Sequence, residues 1–192
     1  MEVEDVHVEG DHTFTPMDPV YIDKPIGHLP IAATMSSGHA AICLGIAQAA
    51  LDAVAELGRS KVNVDPVPKM PDRSFNQYTI AEAAVKIDAM RDHLHKMTGM
   101  IWHLCLDGQK PGPVELAKLW STSVTTARTC QRIVSDLYEI AGATAVYESF
   151  SIERERRDID AMMQHVIVQR FWMEEAGKII FGLEPSNPLF FL

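Results

Sequence analysis

From Ser36 onward, apolar residues recur at steps of three and four. In "GHAAICLGIAQAALDAVAELGRSK" the series is Ile42, Ile46, Ala49, Ala53 and Leu57, the repeat of one helix face. Ser36 or Ser37 is placed to cap the start of this first helix. Ala40, Ala41, Gly45, Ala47 and Ala50 keep much of it thin, so a neighbouring helix can approach closely. A second stripe, Ile80, Ala83, Ala84, Ile87, Met90, Leu94, Met97, Ile101 and Leu104, predicts a helix from about Phe75 to Leu106. Before it, "VNVDPVPKMPDRS" reads as a loop broken by prolines. After it, "DGQKPGP" stops the helix. Pro113 suits the first turn of a third helix, which runs to "LYEIAG", where Gly142 is a C-terminal cap. A fourth opens at about Ile152, and a fifth surrounds "FWMEEAGKIIFG" with Gly182 closing it and "LEPSNPLFFL" as a tail. Long helices on short loops predict an all-α fold, an antiparallel up-and-down bundle of four to five helices.

The first 35 residues follow another pattern. Val3, Val6 and Val8 alternate with acidic residues and a histidine in "MEVEDVHVEG", as in one strand or sheet edge. Pro16, Pro19, Pro25 and Pro30 then suit an extended connection. A lone strand is not stable by itself, and the remaining sequence offers no sheet. The expected division is therefore an extended segment over 1–35 and a helical bundle over 36–192.

Composition narrows the classes. Of the 192 residues 47% are hydrophobic and only 7% aromatic, which favours helix over strand. A net charge of −9, with no basic cluster interleaved with aromatics, argues against a nucleic-acid partner. Cys43, Cys105 and Cys130 lie far apart in apolar helical stretches. They read as buried thiols in a reducing compartment. The acidic N-terminus carries no signal-like apolar core, and "AAICLGIAQAAL" is too short to span a bilayer. The expectation is a cytoplasmic protein with no membrane association.

The candidate chemistry is sparse. His93, His95 and His103 are the densest histidine group, but on a helix His93 and His95 face different ways. No metal site is expected there, and these read as surface or interface histidines. No Ser-His-Asp signature, phosphate loop or GxGxxG occurs. In "RRDIDAMMQHV", Asp158 and His165 are two helical turns apart on nearly one face. Spacing leaves His165 open between a packed core residue and an acid/base group on a rigid helix. Trp102, Met162, Met163 and Trp172 read as core, or as the lining of an aromatic pocket.

The order of several motifs carries more. "ALDAVAELGRSK", "NQYTIAEAAVKIDAMRDHL", "ARTCQRIVSDLYEIAGATAVYESFSIERERRDIDAMMQHV" and "EEAGKIIFGLEP" together resemble the C-terminal helical domain of the acyl-CoA dehydrogenase fold. The likeness runs from about Ser36 to the end and is densest over 127–185. Within that fold the chain looks most like the two-component flavin-dependent monooxygenases. Ordinary acyl-CoA dehydrogenases carry a glutamate base and a Gly-Thr after the Arg-Asp pair. Here Arg157-Asp158 leads to Gln164, His165 and Val166.

The resemblance implies a flavin-dependent oxidoreductase that hydroxylates an aromatic or similar small substrate with reduced FAD or FMN and O2. It implies His165 as the catalytic residue lining the flavin and substrate pocket. It also implies that Ala141, Gly142, Ala143 and Thr144, in the turn after the third helix, and Gln77 contact flavin, often that of a neighbouring subunit. Expected partners are further copies in a dimer or tetramer, a flavin reductase, and a separate chain carrying the fold's other domains. The opening segment resembles the last strand of that fold's middle β domain. On that reading this chain holds half a pocket and does not retain flavin or turn over alone. An acyl-CoA dehydrogenase piece and a non-catalytic helical oligomerisation module are the alternatives.

Overall fold

The structure, a computed structural model, describes residues 4–15, 22–60, 68–147 and 150–191. Five α-helices carry the fold: α1 Ile31–Ser60, α2 Ser74–Leu106, α3 Pro113–Ala141, α4 Ser151–Met162 and α5 Phe171–Ile180. A single 3₁₀ turn lies in each connection except that between α2 and α3. The expected all-α, five-helix architecture is the observed one. The expected strand is not: residues 4–15 hold only a 3₁₀ turn at Gly10–His12, and no strand occurs among the described residues. Among the described residues Val6 and Val8 have no sheet to pair with, and an isolated strand leaves its backbone groups unbonded. Val3, Pro16, Pro19 and residues 61–67 of the loop before α2 lie outside the described residues.

Helix α1 begins at Ile31 rather than at Ser36. Its first bond runs from Thr34 N–H to the Pro30 carbonyl at 2.9 Å. Ser36 is buried inside the helix and caps nothing. Its hydroxyl donates back to the Ala33 carbonyl at 2.7 Å and lies 3.2 Å from the Ser123 hydroxyl on α3. The start of α3 follows the sequence signals. Pro113 is the first helical residue, and the Glu115 carboxylate accepts from Gly112 N–H at 3.1 Å.

Helices α1 and α3 lie against each other and share one register. Ala33, Ser36, Ala40, Cys43, Ala47, Ala50 and Val54 are buried on α1, at alternating steps of three and four. On α3 the matching buried set is Trp120, Ser123, Ala127, Cys130, Val134, Leu137 and Ala141. The Ser36–Ser123 contact spans 87 positions, and each residue of the first set precedes its counterpart by the same number. The two helices therefore run parallel along a heptad-type seam, with mostly small side chains on the α1 side. Helices α2, α4 and α5 pack around α3.

The apolar interior forms two clusters. One joins α1 and α3 to α2 and α4 and includes Leu44, Val54, Ile87, Ile133, Leu137, Ile152 and Ile159. The other is built on Trp120 and Trp172, which stack with ring centroids 3.7 Å apart. Trp172 is thus a core residue. Phe190, in the segment read as a tail, is fully buried beside this pair and accepts from Trp120 Nε1–H through its carbonyl at 3.2 Å.

By length and composition α1 is apolar enough to cross a membrane, contrary to the short span read from the sequence. Here one face of it, with Ala40, Cys43, Leu44, Ala47 and Val54, belongs to the core of the bundle, while Ile31, Met35 and Ile42 are exposed.

Candidate functional site

Residues 151–162 form α4, knitted by ion pairs between Arg157 and Glu153 (2.9 Å) and between Arg156 and Asp160 (2.8 Å). Arg156 also donates to the Ser135 hydroxyl at 2.6 Å, and Gln131 Nε2 to Asp160 at 2.9 Å, fastening α4 to α3. The hydrogen bond from Gln131, then the Arg156 guanidinium, hold the Asp160 carboxyl below its usual range. Asp158 is exposed.

The helix stops at Met162, so His165 is not on it. The expected pairing of Asp158 and His165 on one helical face is absent. A β-branched run, Val166-Ile167-Val168, follows and folds as a 3₁₀ turn. Side chains take the carbonyls released there. Gln169 Nε2 donates to Met163 O at 3.1 Å and to His165 O at 3.3 Å. Trp172 Nε1 donates to Val166 O at 2.8 Å, and Arg128 to Val168 O at 3.4 Å. His165 caps the 3₁₀ turn, its Nδ1 accepting from Ile167 N–H at 3.2 Å.

His165 is exposed but not isolated. Its ring lies against His39 of α1, with centroids 5.0 Å apart and planes at 38°. His39 Nε2 is 2.9 Å from the Met162 carbonyl. Nothing in the sequence around His39 marks it out. It sits inside a regular apolar helix with no local signal, and its partners come from the far end of the chain. Met163 is buried, Met162 half-buried and Trp102 exposed, so these do not enclose one pocket.

The other candidates lie elsewhere. Ala141 ends α3 and is buried, Gly142 and Ala143 are exposed, and Thr144 is half-buried. Gly142 caps the helix at φ +65° and ψ −149°, with its N–H on the Glu139 carbonyl. Gln77 is exposed in the first turn of α2, its Nε2 donating to the Pro71 carbonyl at 2.8 Å. The α1–α3 register places His39 beside position 126. Gly142 is sixteen residues further along, about 24 Å at the ordinary helical rise of about 1.5 Å per residue. His165 and the 141–144 turn therefore do not meet in one chain.

Remaining side chains are less reactive. Cys43, Cys105 and Cys130 are buried free thiols. Burial pushes Cys43 and Cys130 each up to about 12 and raises Cys105 as well. His93, His95 and His103 are exposed, and His103 Nδ1 bonds the Gly99 carbonyl at 2.7 Å. Among the described residues the one grouping of metal-ligand types is Glu9, Asp11 and His12, all exposed.

The family described as acyl-CoA dehydrogenase, C-terminal domain, matches residues 37–170. The chain is similar to an indole-3-acetate monooxygenase of Acinetobacter baumannii, 24% identical over 96% of this chain and 47% of the relative. It is similar to an indole-3-acetate monooxygenase of Pseudomonas putida, 27% identical over 95% of this chain and 47% of that protein. The chain thus spans about half the length of the curated relatives it matches. Among solved structures, XiaF from a Streptomyces species, in complex with FADH2 and glycerol, superposes with a TM-score of 0.79. Its identity is 22%, over 85% of this chain and 42% of that one.

Proposed function

Since the chain belongs to the family of acyl-CoA dehydrogenase C-terminal domains, we propose that it is the helical part of a flavin-dependent monooxygenase acting on an aromatic or similar small substrate. The observation that carries the reading is its likeness, across nearly the whole chain, to two indole-3-acetate monooxygenases. Gln164-His165-Val166, standing where an acyl-CoA dehydrogenase would carry its glutamate base for an acyl α-proton, supports this branch over a dehydrogenase.

Reduced flavin, FAD or FMN, supplies the electrons that activate O2. The residues present fit the two edges of such a cofactor. At Gly142 nothing lies within 4 Å of where a Cβ would stand. The exposed Gly142-Ala143 turn therefore leaves its backbone open to a flat or anionic group. Ala141, Thr144 and the Gln77 amide flank that end of the bundle. His165 offers an exposed imidazole at the other position. Because about 24 Å separates them, 141–144 and Gln77 are assigned to the flavin of a neighbouring copy and His165 to the chain's own. On this reading the protein is a cytoplasmic homo-oligomer. It works with a flavin reductase and with the domains that complete the pocket.

The test combines the purified chain with a polypeptide carrying those domains, a reductase, NADH, O2 and indole-3-acetate. Oxygenated product is expected in the combination and not from the chain alone. His165→Ala is expected to lower product formation by roughly 10²–10⁴-fold. Failure to oxygenate, with acyl-CoA reducing the flavin instead, would overturn the reading in favour of a dehydrogenase.

A further inference from the structure

We propose that His39 is a positioning residue for His165, and that the pair presents His165 to the ligand as a hydrogen-bond donor through Nε2–H. The assignment deepens the monooxygenase reading and rests on it for the reaction that uses the donor.

Hydrogen bonding fixes both tautomers. A carbonyl oxygen only accepts, so His39 carries its proton on Nε2, which points at Met162 O at 2.9 Å. A backbone N–H only donates, so His165 Nδ1, 3.2 Å from Ile167 N, is the bare nitrogen. The neutral ring then holds its proton on Nε2. Among the described residues His165 Nε2 has no hydrogen-bond partner, and no carboxylate bonds either ring. The ring is exposed, so this N–H is free to reach an acceptor oxygen or nitrogen on a ligand covering the face.

A base at His165 Nε2 requires the opposite tautomer, with the proton on Nδ1. There it would confront the Ile167 N–H, donor against donor. The segment resists such a turn. His39 holds its start at Met162, and Gln169 and Trp172 hold the carbonyls of Met163, His165 and Val166. The His39 ring, 5.0 Å away, backs the imidazole. His39 touches no ligand in this scheme. It acts by keeping Nδ1 occupied and Nε2 outward.

The first measurement needs no flavin. In the ¹⁵N-labelled chain, a through-hydrogen-bond coupling between Ile167 N and His165 Nδ1 is expected, with the His165 proton on Nε2. An Nδ1–H tautomer, or no coupling, overturns the proposal. In His39→Ala the coupling should vanish and Ile167 amide exchange should quicken about tenfold, while amides in the middle of α3 stay protected. His39→Gln, which can still donate to Met162 O, should recover most of the protection. Coupling and exchange unchanged in His39→Ala remove His39 from the role.

The second measurement uses the assembled, product-forming enzyme. His165→Asn retains an N–H donor and should stay within about tenfold of the parent. His165→Asp offers only acceptors and should fall by about 10²-fold or more. The reverse order makes His165 a base and overturns the donor assignment. Should the assembled parent form no product, the flavin reading fails, while the coupling experiment still decides the geometry.

Discussion

Gly142 turns the chain out of α3 with φ +65° and ψ −149°, a region that a residue with a Cβ enters only under strain. Space is not the obstacle, since nothing stands within 4 Å of an added Cβ. Gly142→Ala is therefore expected to lose ~1–3 kcal/mol through backbone strain alone. The loss should read as a lower urea midpoint with an unchanged slope. The cysteines give a second residue-level test. With their thiols buried and Cys43 and Cys130 raised to about 12, the native chain should take up no iodoacetamide at mildly alkaline pH. The denatured chain should take up one label per cysteine, read by mass. Gly142 and the buried thiols were legible in the sequence because each has a local cause. The His39–His165 contact was not, because neither residue differs locally from a helical surface histidine.

Among the elements, the last segment is tied down by one carboxylate. Glu175 of α5 accepts from Ser186 N–H at 2.6 Å, Asn187 N–H at 3.3 Å and Lys178 Nζ at 2.6 Å. Burial alone would raise this carboxyl, but these donors together hold it below its ordinary range. A depressed native pKa gives stability that is present above the unfolded value and disappears as pH falls through the native one. Acid should thus loosen the segment from Ser186 to Phe191. The expected sign is a change in Trp120 and Trp172 fluorescence as pH falls below the ordinary glutamate range, since Phe190 seals that stack. Glu175→Gln turns an amide N–H₂ toward N–H donors and should cost ~1–3 kcal/mol. Its chain should be clipped after Leu183 by a protease that spares the parent.

Element ends marked by proline or glycine were readable to within a residue or so, as at Pro113 and Gly142. Two ends were not. Ser36-Ser37 imitates a cap, yet Ile31–Met35 contains nothing that breaks a helix, and Pro30 is the true boundary. At Met162 the apolar pattern runs on, and only the β-branched Val166–Val168 hinted that the helix had stopped.

At the scale of the whole molecule, the parallel α1–α3 seam is the organising contact. The small α1 residues foretold a close neighbour but could not name it, because register between distant helices is a tertiary property. Ala40 and Ala127 stand at matching positions, both fully buried. Ala40→Leu is expected to cost ~1–3 kcal/mol by overpacking, read as a lowered thermal midpoint. An exposed alanine such as Ala41 should accept the same change with little loss.

The seam also imposes an order on synthesis. Each seam position of α1 waits for a counterpart 87 residues later in the chain. At ribosomal speeds of about 5–20 residues per second, that wait is about 4–17 s. During it a helix long and apolar enough to be mistaken for a membrane anchor emerges without its mate. Nascent chains stalled before and after Ala141 should therefore differ sharply in how firmly a chaperone holds them.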